Sequence, residues 1–319
     1  MPLLAAAIPS DAGPSLWMAL PFAILLALIA AGPLAFPHHW DRFYPYLSIG
    51  LGAITAALYL FVLRQPQPLW DVLEEYVSFM ALNGALFVIA GGIHIRVKGE
   101  ATPAVNCLFL LVGALVSNFI GTTGASMLFI RPWIRMNKYR VTAHHVVFFI
   151  FLVSNIGGCL TPVGDPPLFL GYLKGVPFWW PLQHCWKPWL FVMAWLLAVF
   201  YLIDWRNFRR APKAVRDAQT EHEEWRFSGL RNGWLLLVAL GAVFLPFGWR
   251  EALLIAAALV SLRITPRAAH RANSFSFAPL AEIAWLFAGI FATMLPALDW
   301  LQRHAANIGL HGPRQFYWL

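Results

Sequence analysis

Two stretches of an otherwise apolar sequence carry polar atoms that could do chemistry. The first is Ser117-Asn118-Phe119-Ile120-Gly121-Thr122-Thr123-Gly124-Ala125, which puts hydroxyls, an amide and two glycines where the chain is expected to turn. The second runs from Ser154-Asn155-Ile156-Gly157-Gly158 through Thr161-Pro162-Val163-Gly164-Asp165-Pro166-Pro167 and interrupts a helix midway. Half-helix ends expose carbonyls with partial negative charge. Together with Ser, Thr and Asn oxygens these could replace the hydration shell of a small cation, and hard oxygen ligands suit sodium. Free N–H groups near Thr122, Thr123 and Gly158 would suit an anion instead, so the same residues fit either charge. Asp165 is the one carboxylate in the motif. An intramembrane acid is by default a proton or cation site, and the rival role for Asp165 is a helix cap before Pro166. Hydroxyls and amides also hold membrane helices together. Two clusters, each with Gly or Pro breaks, weigh toward a functional pair.

The elements that must position these residues are membrane helices. With 60% hydrophobic and 12% charged residues in 319, and a mean hydropathy of +0.63, water could not solvate the surface. The net charge of +8 comes from Lys and Arg lying between apolar runs, so it reads as a topology signal and not as a nucleic-acid face. Cys107, Cys159 and Cys185 have no metal-ligand spacing and read as small apolar filler. The first segment, MPLLAAAIPSDAGPSLW, lacks the basic start of a cleaved signal, so the first helix is expected to be retained. Stretches near 17–36, 43–63, 76–95 and 187–204 are long enough to cross a hydrocarbon core. Residues 232–247, 251–265 and 281–299 give three more spans, the first two hinged at the turn from Pro246 to Arg250. The interrupted segments, 105–130 and 144–173, predict a re-entrant hairpin and a broken helix, because non-helical backbone survives at membrane depth only inside protein or beside water.

Short-loop charge sets the orientation. Arg206, Arg209, Arg210, Lys213, Arg216, Arg226 and Arg231 assign 206–231 to the cytoplasm. Arg96 and Lys98, with Arg131, Arg135, Lys138 and Arg140, put both hairpin ends on the same side. The Trp-rich 176–186 reads as an external interfacial belt. LFVIAGGIHI at 86–95 is echoed by LFAGIFATML at 286–295 in the opposite sense, which suggests an inverted repeat. The expected organisation is therefore scaffold helices at 1–75, a first repeat at 76–205, a cytoplasmic linker at 206–231 and the start of a second, inverted repeat at 232–319. A second hairpin is expected to begin after residue 317, which makes that repeat incomplete. The acids Asp71, Glu74 and Glu75 read as a solvated helix start, and His94, His144 and His145 as interfacial.

At the two motifs the sequence resembles the ion transporter superfamily, especially NhaD-type sodium/proton antiporters and arsenite-permease-like or citrate transporter-like proteins. The strings that carry it are SNFIGTTGASMLFIRPWI and SNIGGCLTPVGDPPLFLGYL, and the resemblance is clear over about 80–175. It implies a scaffold and a moving transport domain, with sodium held between hairpin tip and helix break. By position it points to Ser117, Asn118, Thr122 and Thr123 with Ser154, Asn155, Gly157, Gly158, Thr161 and Asp165, and Gly121 lies at the same turn. Ser117 stands where many antiporter-like members have an acid, which shifts proton duty to Asp165 or the mode toward symport. Leu168 stands where several have Asn.

The expectation is thus an all-α, multi-pass inner-membrane protein: a polytopic helical transporter with inverted repeats. Sodium/proton antiport is its first reading, with sodium and protons as transported ions, no cofactor and no metal beyond a possible sodium site. Lipid and small ions are the expected partners, with a homodimer possible and no nucleic acid. The alternatives are a cation-coupled dicarboxylate, citrate or other anion carrier, and an inactive truncated transporter. An enzyme is not expected, since no clustered nucleophile, metal ligands or paired acids appear at membrane depth.

Overall fold

A computed structural model describes residues 13–97, 102–138, 140–210 and 226–304. In chain order the helices are α1 (Leu20–Ala35, entered through a 3-10 turn at Leu16–Ala19), α2 (Pro37–Ala57, continued by a π turn at Leu58–Val62), α3 (Gln67–Gly91), α4 (Pro103–Met136), α5 (Ala143–Phe149), α6 (Pro166–Leu173) and α7 (Trp180–Arg210). They are followed by α8 (Asn232–Ala242), α9 (Trp249–Ile264), α10 (Arg267–Ala272) and α11 (Ala278–His304). Strands β1 (His94–Arg96) and β2 (Arg226–Ser228) pair antiparallel, with Ile95 opposite Phe227. Six helices are long and apolar enough to cross a membrane: Leu16–Ala35, Pro37–Val62, Gln67–Gly91, Pro103–Met136, Trp180–Arg210 and Ala278–His304. The chain is an all-α polytopic membrane protein.

The chain divides into two compact units, residues 1–76 with 277–319, and residues 77–276. In the first unit α2 and α11 approach closely because small residues meet. A Cβ on Gly289 would lie 2.8 Å from the Ser48 carbonyl oxygen, and one on Gly52 would lie 3.2 Å from the Ala292 methyl. Lipid supplies no hydrophobic drive between helices, so such close backbone packing has to hold them. The buried hydroxyls here turn onto their own helices: Thr55 donates to Leu51 O at 3.2 Å and Thr293 to Gly289 O at 2.7 Å.

The second unit is built on α4, which is not a single crossing. Gly121 has φ 74° and ψ 154°, a conformation open to glycine, and there the chain reverses. Arms 103–120 and 122–136 lie against each other: the Phe109 and Phe129 ring centroids are 5.3 Å apart, and the Asn106 amide donates to Asn137 Oδ1 at 2.8 Å. This is the re-entrant hairpin, longer than the expected 105–130. Its core of Phe109, Leu110, Phe129 and Trp133 packs with Phe149, Leu152 and Phe200.

Several boundaries differ from the sequence reading. Helix α3 begins nine residues before the expected 76, so Asp71, Glu74 and Glu75 lie within its first turns. Gln67 bonds Asp71 at 3.1 Å, and the helix tolerates these acids because its outer end is solvated. It also ends at Gly91, and His94 lies in β1, where Nδ1 is 2.9 Å from Asn273 Oδ1. Helix α7 takes in residues 180–186 of the aromatic stretch and reaches Arg210, so the linker loses residues at both ends, to α7 and to β2. Positions 211–225 of the linker, Lys98 and the expected start of a second hairpin lie outside the described residues.

Candidate functional site

Helix α5 leads into a π turn at Ile150–Asn155, where the Ile156 N–H reaches the Phe151 carbonyl. A single 3-10 turn, Ile156–Gly158, follows, then an irregular loop up to Asp165, where α6 begins. This is the expected break in 144–173. It folds against the hairpin tip, and three glycines make the fit possible. A Cβ on Gly157 would sit 2.6 Å from the Leu152 carbonyl oxygen and 2.8 Å from Ala114 Cα. Gly158 and Gly164 are in backbone contact, so a side chain on either would collide with the other.

The break frees carbonyls that hydrocarbon would not tolerate, and neighbouring side chains satisfy them. Asn118 Nδ2 donates to Gly157 O at 2.7 Å, while its Oδ1 accepts from the Leu160 N–H at 2.9 Å. Ser117 Oγ lies 2.8 Å from Val153 O and 2.9 Å from Gly113 O. Thr161 Oγ1 donates to Asn118 O at 2.5 Å and accepts from the Gly164 N–H at 3.2 Å. The Thr122 N–H donates to Gly164 O at 3.1 Å, and Trp189 Nε1 of α7 to Ile156 O at 2.9 Å.

The predicted residues thus fall into two sets. Ser117, Asn118, Gly121, Thr122, Gly157, Gly158 and Thr161 are buried where hairpin and break meet. Thr123, Ser154 and Asp165 are half-buried and Asn155 is exposed. Asn118 therefore does not meet Asn155, as facing amides would require. It is spent on the backbone of Gly157 and Leu160. Asp165 occupies the N-cap position of α6 but makes no side-chain cap bond, so the capping role considered for it is not the one the carboxylate plays. Ser126 was not singled out. Its hydroxyl lies 2.6 Å from Thr122 O and 2.7 Å from Ser154 Oγ, one helical turn beyond Thr122, a spacing that could have flagged it.

A second polar cluster lies at the hairpin base. Asp204 of α7 is fully buried. Both Nη atoms of Arg140 pair with it, and Asn106 Nδ2 donates to it at 2.9 Å. His145 Nε2 is 3.1 Å from Asp204 Oδ1 and His144 Nε2 3.6 Å. His145 is thus a buried residue rather than an interfacial one, while the His144 side chain keeps 18% exposure. The lone acid at the end of the apolar run 187–204 was the available signal. A third buried ionic group joins Ser78 of α3 to Arg250 and Glu251 of α9: Ser78 Oγ donates to Glu251 Oε1 at 2.6 Å, and Arg250 Nε donates to the same oxygen at 2.8 Å.

A re-entrant hairpin seated on a broken helix, within a bundle of membrane helices, defines a membrane transporter by fold and site. The family model CitMHS_2, described as "Putative citrate transport", matches residues 11–318, and the chain belongs to that family. No curated protein and no solved structure matches the chain.

Proposed function

We propose that the protein is a secondary carrier that moves a citrate-like carboxylate together with a cation, with the hairpin tip and helix break as the ion and substrate site. The observation that carries this reading is the double bond of Asn118 to Gly157 and Leu160, which makes tip and break one unit. The family description favours a carboxylate over sodium/proton exchange. Thr122, Thr123, Ser154, Asn155 and Asp165, with the second lone pairs of the freed carbonyls, are the groups left to hold ions. The other site residues, Ser117, Asn118, Gly121, Gly157, Gly158 and Thr161, shape that site. The working location is the inner membrane, with lipid as surroundings.

Uptake of labelled citrate into proteoliposomes, with sodium and proton gradients imposed separately, tests the reading. Citrate accumulation that requires one gradient and weakens in Asn155→Ala supports it; no accumulation under either gradient refutes it.

One observation favours a second reading. Asp165 is half-buried, uncommitted to the α6 cap and at the end of the break, which suits a proton carrier in NhaD-type sodium/proton antiport. Sodium-induced recovery of a quenched pH dye in everted vesicles, lost in Asp165→Asn, is its expected signature.

A further inference from the structure

The group at the hairpin base joins four pieces of chain. Asn106 belongs to the first hairpin arm, Asn137 and Arg140 to the turn after the second, His144 and His145 to the start of α5, and Asp204 to α7. Asn106 bonds both Asn137 and Asp204, and Asn207 Nδ2 holds the Arg140 carbonyl at 3.1 Å. Moving the base therefore means opening this group.

His144, His145 and Asp204 offer ligand atoms within 4.8 Å of one another, a spacing a metal could use. The hydrogen bonds argue otherwise. The Thr142 N–H donates to His145 Nδ1 at 3.3 Å, so in the neutral ring the proton sits on Nε2, facing Asp204 at 3.1 Å. Arg140 already holds both carboxylate oxygens. What the site lacks is room for further positive charge. Asp204 and Arg140 cancel, the two imidazole centroids are 4.2 Å apart, and the only other titratable group set against Asp204 is the Cys107 thiol of the first arm.

We propose that the His144–His145 pair is a proton-operated latch on the hairpin base. With both rings neutral it completes the donor cage around Asp204; with His144 protonated through its exposed edge, uncompensated charge beside Arg140 and His145 opens the base. The sign follows from the charges. The closed form disfavours the added proton, so it is intact above the ordinary histidine range near pH ~6.5 and weakens as pH falls through it.

Cys107 adjoins Asn106 and is half-buried against Leu197 O, so it reports on the base. The full chain carrying Cys159→Ser and Cys185→Ser is labelled with a maleimide between pH 8 and pH 5.5, normalised at each pH to labelling in denaturant. Labelling is expected to rise several-fold on acidification, and His144→Gln is expected to abolish the rise. His145→Gln, being buried, is checked first for a normal melting temperature at pH 8. Flat labelling in the His-intact chain, or an undiminished rise in His144→Gln, overturns the latch. So does protection of Cys107 by micromolar zinc chloride that His144→Gln removes, which would make the cluster a metal site. None of these readouts depends on what the protein transports.

Discussion

Gly158 and Gly164 face each other backbone to backbone, so neither has room for a single methyl group. The helix break is closed on itself at this point. Gly158→Ala or Gly164→Ala should lower the melting temperature and abolish transport, with a cost of about 1–3 kcal/mol or more from overpacking. Gly241→Ala is the control. A Cβ there meets nothing within 4 Å, and helical Ala gains up to ~1 kcal/mol over Gly. Unaltered stability in Gly158→Ala would contradict the contact.

The hairpin itself is open to a direct chemical test. In one straight helix residues 109 and 129 would stand about 30 Å apart, whereas the Phe109 and Phe129 ring centroids are 5.3 Å apart. Phe109→Cys with Phe129→Cys, in a background freed of the native cysteines, should cross-link under mild oxidation in membranes. Failure to form the bond while a straight-helix spacing is captured by long bifunctional reagents would rule the reversal out.

Asn118 and Asn155 should separate in their effects. Asn118→Ala strands Gly157 O and the Leu160 N–H in a buried setting, at about 1–3 kcal/mol each, so both stability and transport should fall. Asn155→Ala should leave the melting temperature unchanged and alter only the cation dependence of uptake. Equal loss of stability in the two variants would show that Asn155 is structural.

Asp204→Asn removes the counter-charge of a buried arginine. Losing one partner of such a pair typically costs about 3–5 kcal/mol, so membrane insertion should persist while the purified protein melts early. The double variant Arg140→Met with Asp204→Leu should recover much of the loss, because no unpaired charge remains. A double variant as unstable as the single would point to the amides of Asn106 and Asn137 as the main support.

How much of this was legible in the sequence depended on whether a feature was local. Gly121 and the Ser154–Pro167 string announce a turn and a break by residue type alone, since few other residues permit those backbones, and both are found at those positions. The partner of Asn118 was not legible. Two asparagines at equivalent places in two motifs suggest a facing pair, but which backbone atoms a break frees depends on its phase, and that brought Gly157 and Leu160 to the tip instead. Asp204 was hidden for another reason: its partners lie 64 residues back at Arg140 and 98 back at Asn106, and no spacing rule connects them. The ribbon of β1 and β2 is three residues long on each side, too short for alternation to register.

The π turn at Ile150–Asn155 makes the site a matter of phase as well as composition. A π turn holds one residue more than the α-helix it interrupts, so in effect it is a one-residue insertion retained in the chain. Deleting any one residue of that turn would restore the α register and rotate all that follows by about 100°. Such a chain would keep every residue of the Gly157–Asp165 segment and still present the wrong face of it to Asn118. A one-residue deletion scan across 143–158 should therefore show loss of transport out of proportion to loss of mass. The one compensating change should be an insertion of a single residue within the same turn.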